Sequence, residues 1–282
     1  GGEPVNPGTH EPIDDVGFLE NEIDHWITDI LMDGWSKFAR KVKLEGVELS
    51  EAIADKLSGL GIDVQDVSTA LRRVDLDPES PDDWGEDDIF ELSQGLRKTS
   101  KPMLLGANKI DVQEAEENYE RLCELDYPVI PMSCESELAL RRAAEKNLID
   151  YFPGDSEFTI LKENGLSKGQ RNALESIQDL LDNWGSTGVQ EAIDKAIFDL
   201  LGMIVVYPVD DENKLTDTKG NVLPDAYLVP EGTTAHEFAY KIHSDLGDSF
   251  VKAIDAETDR RVGKDYKLKN GNIIRIVASK GR

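Results

Sequence analysis

The residues Asn108-Lys109-Ile110-Asp111 follow the apolar run Pro102-Met103-Leu104-Leu105-Gly106-Ala107 and gather three kinds of chemistry on one short loop. A carboxylate on a tight loop accepts two hydrogen bonds from the N1–H and exocyclic amine of guanine, a donor pair that adenine does not offer. An Asn three residues earlier reaches the O6/N7 edge of the same base and ties neighbouring loops together. The Lys stem lies flat on the ring as an apolar plate while its ammonium stays in water. A second apolar run, Pro128-Val129-Ile130-Pro131-Met132, ends in Ser133-Cys134-Glu135. Asn108, Lys109 and Asp111 are therefore candidate base-reading residues.

Such loops need rigid elements behind them. Both apolar runs read as short strands, followed by helices over 114–125 and from Glu137 to about Asn147, and this alternation predicts a parallel, doubly wound sheet. Ligands of such sheets bind at the carboxyl ends of the strands, where both candidate loops fall. Ahead of them, helical spacing of Phe18, Leu19, Ile23, Trp26, Ile27, Ile30 and Leu31 predicts a helix from Asp14-Asp15 to about Val42. Further helices are predicted over 49–58, 64–74 and 86–98, and the Trp and Phe residues of this whole helical block are expected in the core. A helical block is expected over 153–201. From Met203 the period turns strand-like, with strands at 203–207, 226–229, 249–254 and 272–278 around a helix at 233–246. That pattern fits a small β-grasp domain.

Asn-Lys-x-Asp and a Ser-Ala-Lys-like triplet, in this order and context, resemble the fourth and fifth motifs of GTPases. The likeness adds Ser133, Cys134 and Glu135 to the candidate base-reading residues, implies a backbone N–H at guanine O6 that the small Cys134 allows, and puts Glu135 where Lys is usual. With them the sequence resembles the Obg-type, translation-associated GTPases of the YchF/Obg-like family, in particular their archaeal branch. The resemblance runs through the helical stretch, Lys101 to Asp111, and Val129 to Glu137 with its continuation Leu138-Ala139-Leu140-Arg141-Arg142-Ala143-Ala144. It continues through Tyr207-Pro208-Val209, Leu228-Val229-Pro230-Glu231-Gly232-Thr233-Thr234-Ala235-His236-Glu237-Phe238-Ala239, Phe250 to Asp255 and Val262 to Tyr266, which look like a TGS domain. DRG-type GTPases share the TGS tail but lack a matching helical insertion. The resemblance implies an α/β fold: an incomplete P-loop GTPase doubly wound domain with a helical insertion, followed by a β-grasp, ubiquitin-like TGS domain. The implied segments are a 1–12 loop, a 13–100 helical insertion, a 101–152 C-terminal part of the GTPase domain, a 153–201 helical segment and a 202–282 TGS domain.

Many YchF-type proteins have lost the guanine-reading Asp and are described as ATPases; Asp111 is present here, so the resemblance implies GTP. No G-x-x-x-x-G-K-[ST] occurs in the 282 residues, and Gly263-Lys264 is followed by Asp265. The D-x-x-G matches at Asp14–Gly17 and Asp82–Gly85 do not follow apolar strands. The phosphate loop, switch regions and metal-binding Asp are expected upstream of Gly1, in a chain that opens without Met. Phosphate affinity and hydrolysis come from those parts. No catalytic residue is assigned, Mg²⁺ is implied for the intact protein only, and hydrolysis of GTP is expected of the intact protein and not of this chain.

Charge adds a second theme. With 31 Lys+Arg against 57 Asp+Glu the formal charge is −26, of which residues 1–100 carry −15, residues 101–200 carry −10 and the remainder −1. Scattered acids over predicted helices read as solubility adaptation to a high-salt cytoplasm. Arg260, Arg261, Lys264, Lys267, Lys269, Arg275, Lys280 and Arg282 oppose a single acid, Asp265. Arg260, Arg261, Lys264, Lys267 and Lys269 are the candidate RNA- or ribosome-contacting residues, and the rival reading of the chain is a non-catalytic RNA- or ribosome-binding adaptor. A threonyl-tRNA synthetase relation ranks below, since no aminoacylation motif accompanies the TGS pattern. No membrane or DNA partner is expected. Two cysteines, Cys123 and Cys134, give neither a disulfide framework nor metal spacing and point to a reducing cytoplasm. His236 and His243 lack acidic or thiol partners at a matching register.

Overall fold

The computed structural model describes residues 11–112 and 115–279. Most of the expected opening loop (1–10) and two cations of the basic run, Lys280 and Arg282, lie outside them. The chain packs as two units, Gly1–Ala192 and Ile193–Arg282.

In the first unit, α1 (Pro12–Met32) opens with Pro12 in its first turn and Asp14 and Asp15 beside the positive end of the helix dipole. The single helix predicted to Val42 is two. Gly34 sits at φ +70°, a left-handed conformation that ends one helix and lets α2 (Trp35–Glu45) leave in a new direction. Next come α3 (Leu49–Lys56), α4 (Val64–Leu71), capped by Asp63, and α5 (Glu86–Ser100). Their apolar stripes close one core containing Ile27, Leu31, Trp35, Ile53, Val67, Ile89, Leu92 and Leu96. Trp35 stacks on Trp84 with centroids 5.7 Å apart, so these two are packing residues, whereas Phe18 and Trp26, expected in the core, lie exposed on α1.

One polar group sits inside this helical layer. Arg97 of α5 is 4% exposed; its Nε donates to Asp24 Oδ1 at 2.7 Å and its Nη1 to Glu20 Oε1 at 2.8 Å, both on α1. Tyr127, just before the second strand, joins the same network through its hydroxyl. The helical layer is thereby fastened to the sheet.

That sheet consists of β1 (Leu105–Asn108) and β2 (Val129–Met132), parallel, with α6 (Ala115–Leu122) between them in sequence. Asn108 pairs with Met132, so both strands end at one level. The helix expected from Glu137 begins earlier: α7 spans Cys134–Glu145 with Ser133 as its cap. The 153–201 stretch is not wholly helical. It holds β4 (Thr159–Ile160), paired antiparallel with β3 (Ile149–Asp150), then α8 (Lys168–Trp184), α9 (Val189–Asp194) and a π-helical turn over 195–200. Leu140, Ile149, Leu174, Ile177 and Leu181 form the core beneath α7 and α8.

The second unit is a mixed five-stranded sheet. It is built from β5 (Met203–Pro208), β6 (Tyr227–Pro230), β7 (Phe250–Asp255), β8 (Arg260–Val262) and β9 (Ile273–Ala278), in the order β6-β5-β9-β7-β8. Only the β5–β9 pair is parallel, as a β-grasp requires. The predicted helix at 233–246 is broken at His243 into α10 (Ala235–Ile242) and α11 (Ser244–Asp248). Phe238 of α10 is fully buried among Val206, Val229, Ala253 and Ile274. Among the described residues, no helix is long and apolar enough to cross a membrane.

Candidate functional site

The chain leaves β1 through a turn that sorts its side chains by polarity. Ile110 is buried and its N–H donates to Met132 O at 3.0 Å, continuing the ladder by one bond. Val112 N–H donates back to Lys109 O at 3.0 Å and closes a four-residue turn. Lys109 takes φ +70°, a conformation uncommon outside glycine. With the apolar residue anchored inward, Asn108, Lys109 and Asp111 are exposed on the outer side.

The chain leaves β2 into the N-terminus of α7. Ser133 is fully buried; its Oγ accepts the Ser136 N–H at 3.3 Å and lies 2.8 Å from Ser136 Oγ. Cys134 and Glu135 occupy the first exposed positions of the helix, where backbone N–H groups lack helical partners. The Cys134 N–H donates to Asn108 Oδ1 at 3.1 Å, so the two loops are tied by the Asn of the first motif. Together they line an open cleft of about 590 Å³ bounded by Asn108, Lys109, Asp111, Cys134, Glu135 and, from further along α7, Arg142. Five of the six candidate base-reading residues thus meet in one cleft, and Ser133 lies beneath it as the helix cap. Asp111 also borders a smaller hollow of about 310 Å³ with Asn183 and Trp184 of α8.

Below the cleft stands a group that no sequence pattern singles out. Glu137, 4% exposed, accepts from Thr187 Oγ1 at 2.6 Å, Tyr151 OH at 2.7 Å and Arg141 Nε at 2.5 Å. Burial pushes this carboxyl up, but the hydrogen bonds from Thr187, Arg141 and Tyr151 outweigh it and hold it below its ordinary 4.5. Burial, and then the bond to Glu137, push the Tyr151 phenol up to about 12. Glu137 is one of many acids in an acidic chain, and its partner Thr187 lies 50 residues away in sequence.

In the second unit Arg260 and Arg261 lie on the edge strand β8, with Lys264, Lys267 and Lys269 in the segment that follows. All five are exposed, and among the described residues none makes an ion pair. Arg275 differs: it pairs with Glu212 at 2.5 Å and is neutralised. His236 packs its ring against Tyr240 and Phe250, while His243 caps α11 by accepting the Asp245 N–H at 3.1 Å. Among the described residues, no group of three His, Cys, Asp or Glu side chains gathers as a metal site.

Known proteins resemble this chain in sequence and fold. Residues 106–211 match the Obg-like GTPase YGR210-like, G4 motif-containing domain, and residues 219–278 match the TGS domain. A GTP-binding protein of Methanocaldococcus jannaschii is 50% identical over 272 residues, covering 96% of this chain and 68% of that protein. A GTP-binding protein of Schizosaccharomyces pombe is 28% identical over 244 residues, covering 83% of this chain and 59% of its own length. The crystal structure of a GTP-binding protein from Pyrococcus horikoshii superposes with a TM-score of 0.77 at 40% identity, over 99% of this chain and 74% of that one. By this likeness along nearly its whole length, the chain belongs to the Obg-like GTPase family of the YGR210-like type, with a TGS domain in its C-terminal unit.

Proposed function

We propose that the cleft at the ends of β1 and β2 binds the guanine base of GTP, and that the intact protein is a GTPase acting in translation. The observation that carries the reading is the convergence of Asn108, Lys109, Asp111 and the Cys134 backbone on one cleft, joined by the Cys134–Asn108 hydrogen bond. In this reading Asp111 accepts from guanine N1–H and the 2-amino group, the Lys109 stem covers a ring face, and the Asn108 amide, whose Oδ1 accepts the Cys134 N–H, turns its NH₂ to the O6/N7 edge. Glu135 exchanges the usual cation for an anion at the rim. The relatives named above, described as GTP-binding proteins, support the choice of nucleotide. No hydrolytic step is derived from these residues, because the phosphate-loop pattern is absent from the sequence and the described residues gather no Mg²⁺ ligand set.

Guanine readout is tested by titrating the chain with guanosine, inosine and adenosine 5′-monophosphates. Guanosine is expected to bind best and inosine, lacking the 2-amino group, more weakly. Asp111→Asn leaves a guanine donor unpaired and is expected to weaken guanosine binding by about 5- to 150-fold, equivalent to about 1–3 kcal/mol. Equal binding of guanosine and adenosine nucleotides by both proteins would remove the reading.

The five cations at and after β8 support a second role, contact with ribosomal or other structured RNA, which needs no turnover. Binding through phosphates must weaken steeply with salt. If neutralising Arg260, Arg261, Lys264 and Lys267 leaves ribosome co-sedimentation unchanged, the RNA role is lost.

A further inference from the structure

Thr187, only 1% exposed, grips α7 at two points one helical turn apart. Its carbonyl accepts the Ser133 N–H at 2.9 Å, and its hydroxyl donates to Glu137 Oε2 at 2.6 Å. Between the two grips lie Cys134, Glu135 and Ser136, the turn whose backbone the cleft presents. The cap itself adds local bonds, from Ser133 Oγ to the Ser136 hydroxyl at 2.8 Å and to the Ser136 N–H at 3.3 Å, but these lie within the turn and do not fix it to the rest of the unit. The gripping segment is itself fixed. Gly188 takes φ +75° and lies so close to β2 that an added Cβ would stand 1.9 Å from Pro131 O. Glu137 is locked in turn by Tyr151 and Arg141.

We propose that Thr187, oriented by Glu137, is a positioning residue for base recognition: it fixes the first turn of α7 so that the Cys134 N–H holds the Asn108 amide against the guanine edge at a set place. The inference rests on the guanine reading of the cleft and extends it to a residue that does not touch the base. Hydrogen bonds weaken steeply once distance and angle drift, so a loosened turn sacrifices base discrimination first. A merely structural Thr187 would instead change stability and leave the preference between bases alone.

The test uses the ¹⁵N-labelled chain with Thr187→Val, which keeps the shape and deletes the hydroxyl, and Thr187→Ser, which keeps the hydroxyl. Each is titrated with guanosine and adenosine 5′-monophosphates, and amide exchange is followed at Cys134 and Ser136, whose N–H groups are hydrogen-bonded. Thr187→Val is expected to speed exchange at those amides and to lower the guanine-over-adenine preference, each by about tenfold. Thr187→Ser is expected to restore both to within about twofold. Should Thr187→Val not fold, Glu137→Asp, whose carboxylate is drawn back by one methylene, is expected to give the same loss of preference. A wild-type preference in Thr187→Val or Glu137→Asp overturns the proposal, as does unchanged exchange at Cys134. If the unaltered chain prefers neither nucleotide, the guanine reading fails and the positioning role falls with it.

Discussion

At the scale of single residues, the cleft proposed to read the base is held up by groups that solvent does not see. Glu137 is ionised in the folded state because Thr187, Arg141 and Tyr151 all donate to it, which sets a pH signature. Its folded pKa lies below the ordinary 4.5, so its contribution to stability is present above that value and fades as pH falls through the lower folded one. Between the two values the unfolded chain binds the extra proton, so stability rises with pH. Urea unfolding across the acid range should show that slope in the native chain and a flatter one in Glu137→Gln; identical slopes would mean the carboxylate is not ionised in the fold. Gly188 makes a steric prediction instead. Gly188→Ala forces a Cβ onto Pro131 O and holds a non-glycine residue at φ +75°. It should cost at least about 2 kcal/mol, measured as a lowered urea midpoint with unchanged slope against denaturant.

At the scale of elements, the helical layer depends on a buried charge. Arg97, joined to Asp24 and Glu20 of α1 and to Tyr127 before β2, replaces apolar packing where α1 and α5 cross. Arg97→Met would leave Asp24, 2% exposed, as an uncompensated buried carboxylate. A loss of about 3–5 kcal/mol is expected by chemical unfolding, and the double change Arg97→Met with Asp24→Leu should recover much of it. How far such elements could be read in advance follows from their range of interaction. The Asn108–Asp111 loop and the Ser133–Glu135 loop were legible because each ends an apolar run and carries its chemistry within four residues. The break at Gly34 was a local signal that the apolar stripe from Ile23 to Val42 overrode. His243 likewise sits where helical spacing continues, yet at φ −162° it is extended and caps the next helix. Strand β8 was hidden because Arg260 and Arg261 present charge on both sides of an edge strand, leaving Val262 as its only buried residue. The grip of Thr187 on Ser133 and Glu137 could not be foreseen: it joins residues about 50 positions apart, and an added Glu in so acidic a chain carries no pattern of its own.

At the scale of the whole molecule, charge is divided between the two units, and salt should act on them differently. Almost all of the −26 lies in the first 200 residues, and the remainder is close to neutral. Self-repulsion of like charge opposes compaction, and screening shortens from about 10 Å at 0.1 M salt to about 3 Å at 1 M. The acidic unit should therefore gain thermal stability as KCl is raised over that range, while the β-grasp unit, with its own core around Phe238, should change little. The phosphate contacts proposed for the five cations at and after β8 would respond in the opposite sense, because each releases counterions and affinity falls with a log–log slope of roughly 0.7–0.9 per contact. The two effects are separable in one preparation, with calorimetry following the unfolding transitions and equilibrium binding following a structured RNA. Neutralising Arg260, Arg261, Lys264 and Lys267 should flatten the binding slope by about three to four without moving the salt dependence of the acidic unit. A variant that binds RNA with the native slope would place the RNA contact elsewhere. A first unit whose melting temperature ignores salt would mean that its acids are spaced widely enough to cost the fold nothing.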